Sequence, residues 1–322
     1  MCHLIYTDTF YMKRKWIRWV SWILLTPIIL FVILMVLLYV PPVQNLLRRE
    51  VTAYASKATG MQIQVERIDL RFPLNLLVRG VEVIQQPDTL LSLESLNVRV
   101  QAWPLIKGKV EVDEVTLSRV AVNSADLMEG MKIKGVLGRF FLQSHGVDLS
   151  NELAVINQVE LSDTHVQLLM NDTTTTPKDT TASAPINWKV ALHQLKLKNV
   201  SFSMQLPADS MRMTAHIGEA AIDDAQADLK NQYYDLKKFL LSGTSVSYDT
   251  GTAQPAEGFD ASHIAVRDIR IALDSLLYKG RDMNAVIREF TMNERSGLSV
   301  TSLTGRAYSN DSVICVPGLK LN

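Results

Sequence analysis

The sequence predicts a mainly β protein. An N-terminal transmembrane helix and a short amphipathic helix precede a long, curved, bulged antiparallel sheet that forms an elongated groove. Three observations carry this expectation. Residues 21–40 are apolar and uncharged. Apolar residues fall at helical spacing between Pro41 and Gly60. From Met61 onward they alternate, slip by one residue and alternate again.

Residues 21–40 read SWILLTPIILFVILMVLLYV. At ~1.5 Å per residue such a run crosses a hydrocarbon core of ~30 Å. Trp22, Ile23, Leu30, Phe31, Leu38 and Tyr39 are its expected anchor residues, with Trp22 and Tyr39 at opposite interfaces. Lys13, Arg14, Lys15 and Arg18 precede the run and set its orientation. Residues 1–20 are then cytoplasmic, the chain is a single-pass inner-membrane protein, and its bulk is periplasmic. The apolar core exceeds the ~7–15 residues of a signal peptide, which argues for an uncleaved anchor. Met12 followed by KRK makes a more usual start than MCHLIYTDTFY, so initiation at Met12 is an open alternative.

Pro41 and Pro42 suit a helix start and Gly60 a helix stop. The amphipathic helix expected over 41–60 carries Val43, Leu46, Leu47, Val51, Tyr54, Ala55 and Ala58 at helical spacing. Its apolar face is expected to cap the following domain rather than to lie on lipid.

The slipping pattern Ile63-x-Val65-x-x-Ile68-x-Leu70 recurs strictly at Leu91/Leu93/Leu96/Val98 and at Val110/Val112/Val115/Leu117. Looser copies follow, as at Tyr234/Leu236/Phe239/Leu241. In VALHQLKLKNVSFSM, residues 190–204, the pattern slips twice. One extra residue at each slip, a β-bulge, would return every apolar side chain to one face while bending the strand. His193-Gln194 is a poor turn former, which favours one long strand over three short ones. The expected sections are 61–170 and 186–322, joined by the Thr-rich loop 171–185, NDTTTTPKDTTASAP. Ser124 to Gly130 is expected to form one helical turn. Ile222 to Leu240 fits a helix face and a strand register equally well.

The 322 residues carry 33 Lys and Arg against 33 Asp and Glu, so a basic footprint for nucleic acid is absent. Two cysteines far apart, Cys2 and Cys315, imply no disulfide framework. The six histidines make no pair at metal-ligand spacing. Asp223-Asp224 is read as a solvated pair, because adjacent strand residues point apart. No nucleophile elbow or phosphate-binding glycine loop is present, so no enzyme, metal or cofactor is expected.

The order of parts resembles the start of TamB, the translocation and assembly module subunit, within the AsmA-like group of bridge-like lipid transfer proteins. The resemblance covers residues 12–322. It is carried by the turn Thr59-Gly60, the strand Gln62 to Leu70, and Pro73-Leu74-x-Leu76 running into Arg79-Gly80-Val81. Asn187-Trp188-x-Val190 and Tyr308-Ser309-Asn310-Asp311 also match. The resemblance implies a β-taco-like groove that extends from the inner membrane across the periplasm of a two-membrane bacterium. It implies phospholipid as cargo, an Omp85-type outer-membrane assembly protein as partner, and a part in outer-membrane protein assembly. It brings no catalytic residues. Such proteins are far longer and meet their partner through a C-terminal region, so this chain is expected to be an N-terminal part.

On that reading the apolar strand face holds acyl chains. The candidate lining residues are Val110, Val112, Val115, Leu117, Leu192, Leu195, Leu197, Val200, Phe202, Phe239 and Leu241. The alternative is an anchored β-domain whose apolar face is a closed core, serving as a structural, adhesion or assembly module. Composition does not separate the two.

Overall fold

The computed structural model describes residues 26, 36, 39–72, 74–101, 103–104, 111–124, 130–148, 151–170, 187–310, 312–317 and 320–321. Most of the expected span, with Trp22, Ile23, Leu30, Phe31 and Leu38, lies outside the described residues. So do Lys13, Arg14, Lys15, Arg18, the Thr-rich segment, Val110 and the core of the turn expected after Ser124. Among the described residues no helix is long and apolar enough to cross a membrane.

The chain is mainly β. Helix α1 spans Pro41–Thr59. Thirteen of the strands follow one another in sheet order as in sequence: β1 Gln62–Arg71, β2 Asn75–Gln85, β3 Asp88–Val100, β4 Val112–Asn123, β5 Met131–Asp148, β6 Leu153–Met170, β7 Lys189–Leu206, β8 Met211–Asp228, β9 Tyr233–Asp249, β10 His263–Lys279, β11 Asp282–Glu294, β12 Ser299–Ser309 and β13 Ile314–Cys315. β14, Lys320–Leu321, returns to pair with β12. Strands β5 to β8 each have 18 residues, against a usual ~5–6. Such length suits a chain whose apolar pattern continues through its slips.

The segment that fitted helix and strand alike is a hairpin between β8 and β9. Asn231 makes the turn by donating its backbone N–H to Asp228 Oδ1 at 3.1 Å and its amide to Oδ2 at 2.9 Å. Asn151 closes β5 and β6 on Asp148 in the same way, at 3.1 and 2.8 Å. Asx side chains substitute here for backbone partners at the turn.

One expectation about the sheet is corrected. It is not wholly antiparallel: β6 and β7 are parallel, with Leu153 beside Lys189 and Leu169 beside Gln205. A parallel neighbour requires the chain to return to the start of the strand before pairing, which a tight turn cannot do. Residues 171–188 intervene between the two strands.

Helix α1 lies along the open edge of β1. Gln44 Nε2 donates to the carbonyl of Leu70 at 3.0 Å, and Arg48 Nη1 to that of Glu66 at 2.7 Å. The Ser56 hydroxyl accepts the N–H of Ile63 at 3.1 Å. Three polar side chains thereby satisfy edge groups that would otherwise invite another strand. The helix stops at Gly60, whose φ of +70° is the left-handed cap that an L side chain adopts only at a cost. The expected orientation is met only in part. The helix meets the sheet through Gln44, Arg48 and Ser56, with Val43 and Ala55 half-buried, while Leu46, Leu47, Val51 and Tyr54 remain exposed.

The sheet is a single open layer and not the expected curved groove. Its extensive contacts join ladder neighbours, with α1 against β1 as the one addition among the described elements. Few apolar side chains are buried among the described residues, Leu93, Ala220 and Ala272 among them. The long apolar residues on the strands are mostly half-buried, shielded by in-row neighbours rather than by an opposing face.

Candidate functional site

The ladder registers join the apolar positions of separate strands into transverse rows. Residues paired across a ladder share a face of the sheet. One row runs Ile68, Val78, Leu96, Leu117, Phe140, Leu161, Leu197, Ala220, Leu241, Ile271, Phe290 and Leu303, from β1 to β12 without a polar interruption. At ~4.8 Å per strand it is roughly 50 Å long. Two residues along each strand from β1 to β10, and three along β11, lies a second row: Leu70, Leu76, Val98, Val115, Leu142, Val159, Leu195, Ile222, Phe239, Leu273 and Ile287. The pair makes an apolar track that crosses the strands rather than following them.

The ten described candidates are all half-buried. Leu117, Leu197 and Leu241 share the first row, and Val115, Leu195 and Phe239 the second. Val200 and Phe202 lie on two further rows beyond the Asn199 slip, where Val200 pairs with Ile217 and Phe202 with Val166. Leu192 lies beyond the His193 slip, between Ile156 and Ala225. Val112 stands at the start of β4, opposite Val100. Sequence reasoning missed Phe140, Leu142, Val159, Leu161, Leu273 and Phe290. The alternations Phe140-x-Leu142 and Val159-x-Leu161 were present in the sequence, with slips at Gly138 and Asn157 beside them, but small residues, Gly135 and Ala154, broke the repeat of large apolar ones.

The slips also line up. In every ladder from β1 to β9 the pairing keeps one register on both sides of a line through Glu66, Gly80, Glu94, Arg119, Gly138, Asp163, Asn199, Gly218 and Gly243. Gly80, Arg119, Asp163, Asn199 and Gly243 have left-handed backbones, with φ between +48° and +59°. Asp268, at φ +54°, holds the corresponding place in β10, where the pairing does shift. A second line passes through Asn157, His193, Asp224 and Lys237. The expected mechanism is thereby corrected. Between β6 and β9 the slips are not extra residues set against a regular partner, because each strand slips where its neighbour does and the register survives. True register shifts occur away from these lines in β2 with β3 near Ile84, β3 with β4 near Val100 and β5 with β6 near Ser144, and also in β10 with its two neighbours and β11 with β12.

At each line polar side chains pair with one another. Asn199 bonds Asp163 at 2.8 Å, His193 Nδ1 lies 3.0 Å from Asp224 Oδ1, and Arg119 pairs with Glu94. His165 contacts the Ser201 hydroxyl at 2.7 Å and Gln167 at 2.8 Å. All of these residues except Ser201 are exposed, so the slip lines are polar and wet. Close backbone approach at the first line requires glycine. A Cβ on Gly218 would lie 2.9 Å from the carbonyl oxygen of Gly243, and one on Gly138 2.7 Å from Asp163 Cβ.

Acidic groups near the strand ends are structural in their surroundings. The backbone N–H groups of Ala256 and Ser262, helped by His263 Nδ1 at 2.9 Å, lower the Asp260 carboxyl to about 2. Among the described residues no group of three His, Cys, Asp or Glu side chains is placed to hold a metal ion.

No protein-family model matches this chain. Nor does any curated protein match it.

Proposed function

We propose that this chain is an inner-membrane-anchored periplasmic scaffold of the TamB type, which supports phospholipid transfer between inner and outer membranes and outer-membrane protein assembly. The observation that carries the reading is the double apolar row, continuous across the strands and covered by no second layer among the described residues. An acyl chain exposed to water loses ~0.8 kcal/mol per CH₂ relative to an apolar surface. Leu, Val, Ile and Phe side chains repeated at one strand spacing offer that surface with no strongly preferred stopping place. The headgroup would stay at the wet margin while the chain moves along the track. The exposed polar side chains at the slip lines suit a solvated exterior. Docking to an Omp85-type outer-membrane protein belongs to the same proposal and rests on the resemblance.

Photo-crosslinking in cells tests it. A photoreactive residue replaces Leu195, on the track, or Lys196, its neighbour on the other face. Lipid adducts at 195 and not at 196 are expected. Adducts to protein alone at both positions would overturn the lipid reading and favour a closed core or an assembly module.

A further inference from the structure

We infer that α1 lies in the membrane surface, with Leu47, Val51 and Tyr54 inserted among phospholipid headgroups and upper acyl chains. The inference rests on the anchored reading above. Three observations lead to it. First, these three side chains share one stripe of the helix at i, i+4 and i+7, and are 41%, 45% and 76% exposed. Second, the helix cannot roll to bury them. Its adjoining side is fixed to β1 by the bonds from Gln44 and Arg48 and to Ser56. Third, Pro41 opens the helix immediately after the uncharged run 21–40, so the expected bilayer lies directly next to its first turn.

Soluble surfaces do expose single apolar residues, but an aligned stripe on an edge-docked helix is a surface awaiting an apolar phase. Tyr54 fits an interface in particular, because its ring is apolar and its hydroxyl seeks water. Lys57 flanks the stripe with an apolar stem and a charged end that can reach headgroup phosphates. The consequence for the molecule is geometric. A helix held flat on the bilayer and bonded to β1 places the first strand, and the start of the apolar track, at the membrane surface.

The test uses the full chain with Cys2→Ser and Cys315→Ser, reconstituted in phosphatidylethanolamine–phosphatidylglycerol vesicles. An environment-sensitive fluorophore is attached after Leu47→Cys, Val51→Cys, Asn45→Cys or Ala53→Cys. Lipids with a nitroxide near the headgroup should quench the labels at 47 and 51 at least about twofold more than those at 45 and 53. Equal quenching at all four sites, in chain that resists alkaline carbonate extraction, overturns the helix assignment and leaves the anchor standing. Release of the chain by carbonate overturns the anchor, and this inference with it. A photoreactive group at 47 that captures another protein or a second copy of the chain also overturns it.

Discussion

Asn199 donates its side-chain amide to Asp163 at 2.8 Å across the parallel β6–β7 ladder, and both residues have left-handed backbones, at φ +53° and +52°. The pair shows how a slip is held. Asn and Asp tolerate this conformation better than other L residues, because a short polar side chain can bond locally. Each then presents its polar group to the other, on the face away from the track.

Replacing Asn199 separates the two contributions. Asn199→Val places a β-branched residue at positive φ and removes the bond to Asp163. A loss of about 2 kcal/mol or more in urea unfolding is expected. Asn199→Gly keeps the backbone and loses only the bond, so about 1 kcal/mol is expected. Equal losses in the two variants would show that the left-handed backbone at this position matters little.

The glycines of the same line give a sharper contrast. Gly218→Ala drives a Cβ to within 2.9 and 3.1 Å of the carbonyl oxygens of Gly243 and Ser242, which are backbone atoms and cannot step aside. A loss of about 1–3 kcal/mol is expected. At Gly135 the backbone is extended and the nearest atoms to a new Cβ lie at 3.5 and 3.8 Å. Gly135→Ala should therefore be neutral or slightly stabilising, by up to ~1 kcal/mol. Denaturation midpoints of the two variants check this, and the idea fails if Gly135→Ala is the more damaging.

These two rows explain what could be read from the sequence and what could not. In Leu91/Leu93/Leu96/Val98 the slip falls at Glu94-Ser95, and Glu94 does lie on the line. Periodicity within a strand reports which of its own residues share a face, and so the strands and much of the track were legible. It carries no information about the partner strand. The alignment of Asn199 with Gly218, the parallel entry of β7, and the union of Leu117 with Leu241 are properties of register. Register is settled by all strands at once. The same limit accounts for α1. Helical spacing showed that Leu47, Val51 and Tyr54 share a face, but not that Gln44, Arg48 and Ser56 would claim the sheet edge.

The Asp260 cluster should make stability acid-sensitive. Its folded pKa of about 2 lies below the ordinary 3.8. The carboxylate therefore contributes stability that is fully present above the unfolded value, and this is lost as pH falls from about 4 through about 2. Asp260→Asn should lower the unfolding temperature near neutral pH and flatten its fall in that window. Thermal midpoints measured across the window test this, and an unchanged slope would assign the acid response to other carboxylates, such as Asp228, which the Asn231 side chain also holds below its usual range.

The track itself is tested by interrupting it at one point. Leu197 is the β7 member of the first row, flanked in register by Leu161 and Ala220. It is half-buried, so an aspartate there keeps access to water and the sheet retains its ladders. Leu197→Asp places a charge in the path of any acyl chain passing from β6 to β8. A sheet that only packs against protein would register the change as a modest loss of stability. A lipid track would register it at a distance, because a chain cannot pass without meeting the charge or leaving the surface. Lipid adducts at a photoreactive residue in place of Leu241, two strands further on, should fall several-fold, since each desolvated charge costs far more than the ~0.8 kcal/mol of a CH₂. Lys198→Asp, the adjacent change on the polar side, should leave those adducts unaltered. If both substitutions lower them equally, the effect is on folding or assembly and the track reading is wrong. If neither does, lipid reaches Leu241 by another route, and the row is not a path.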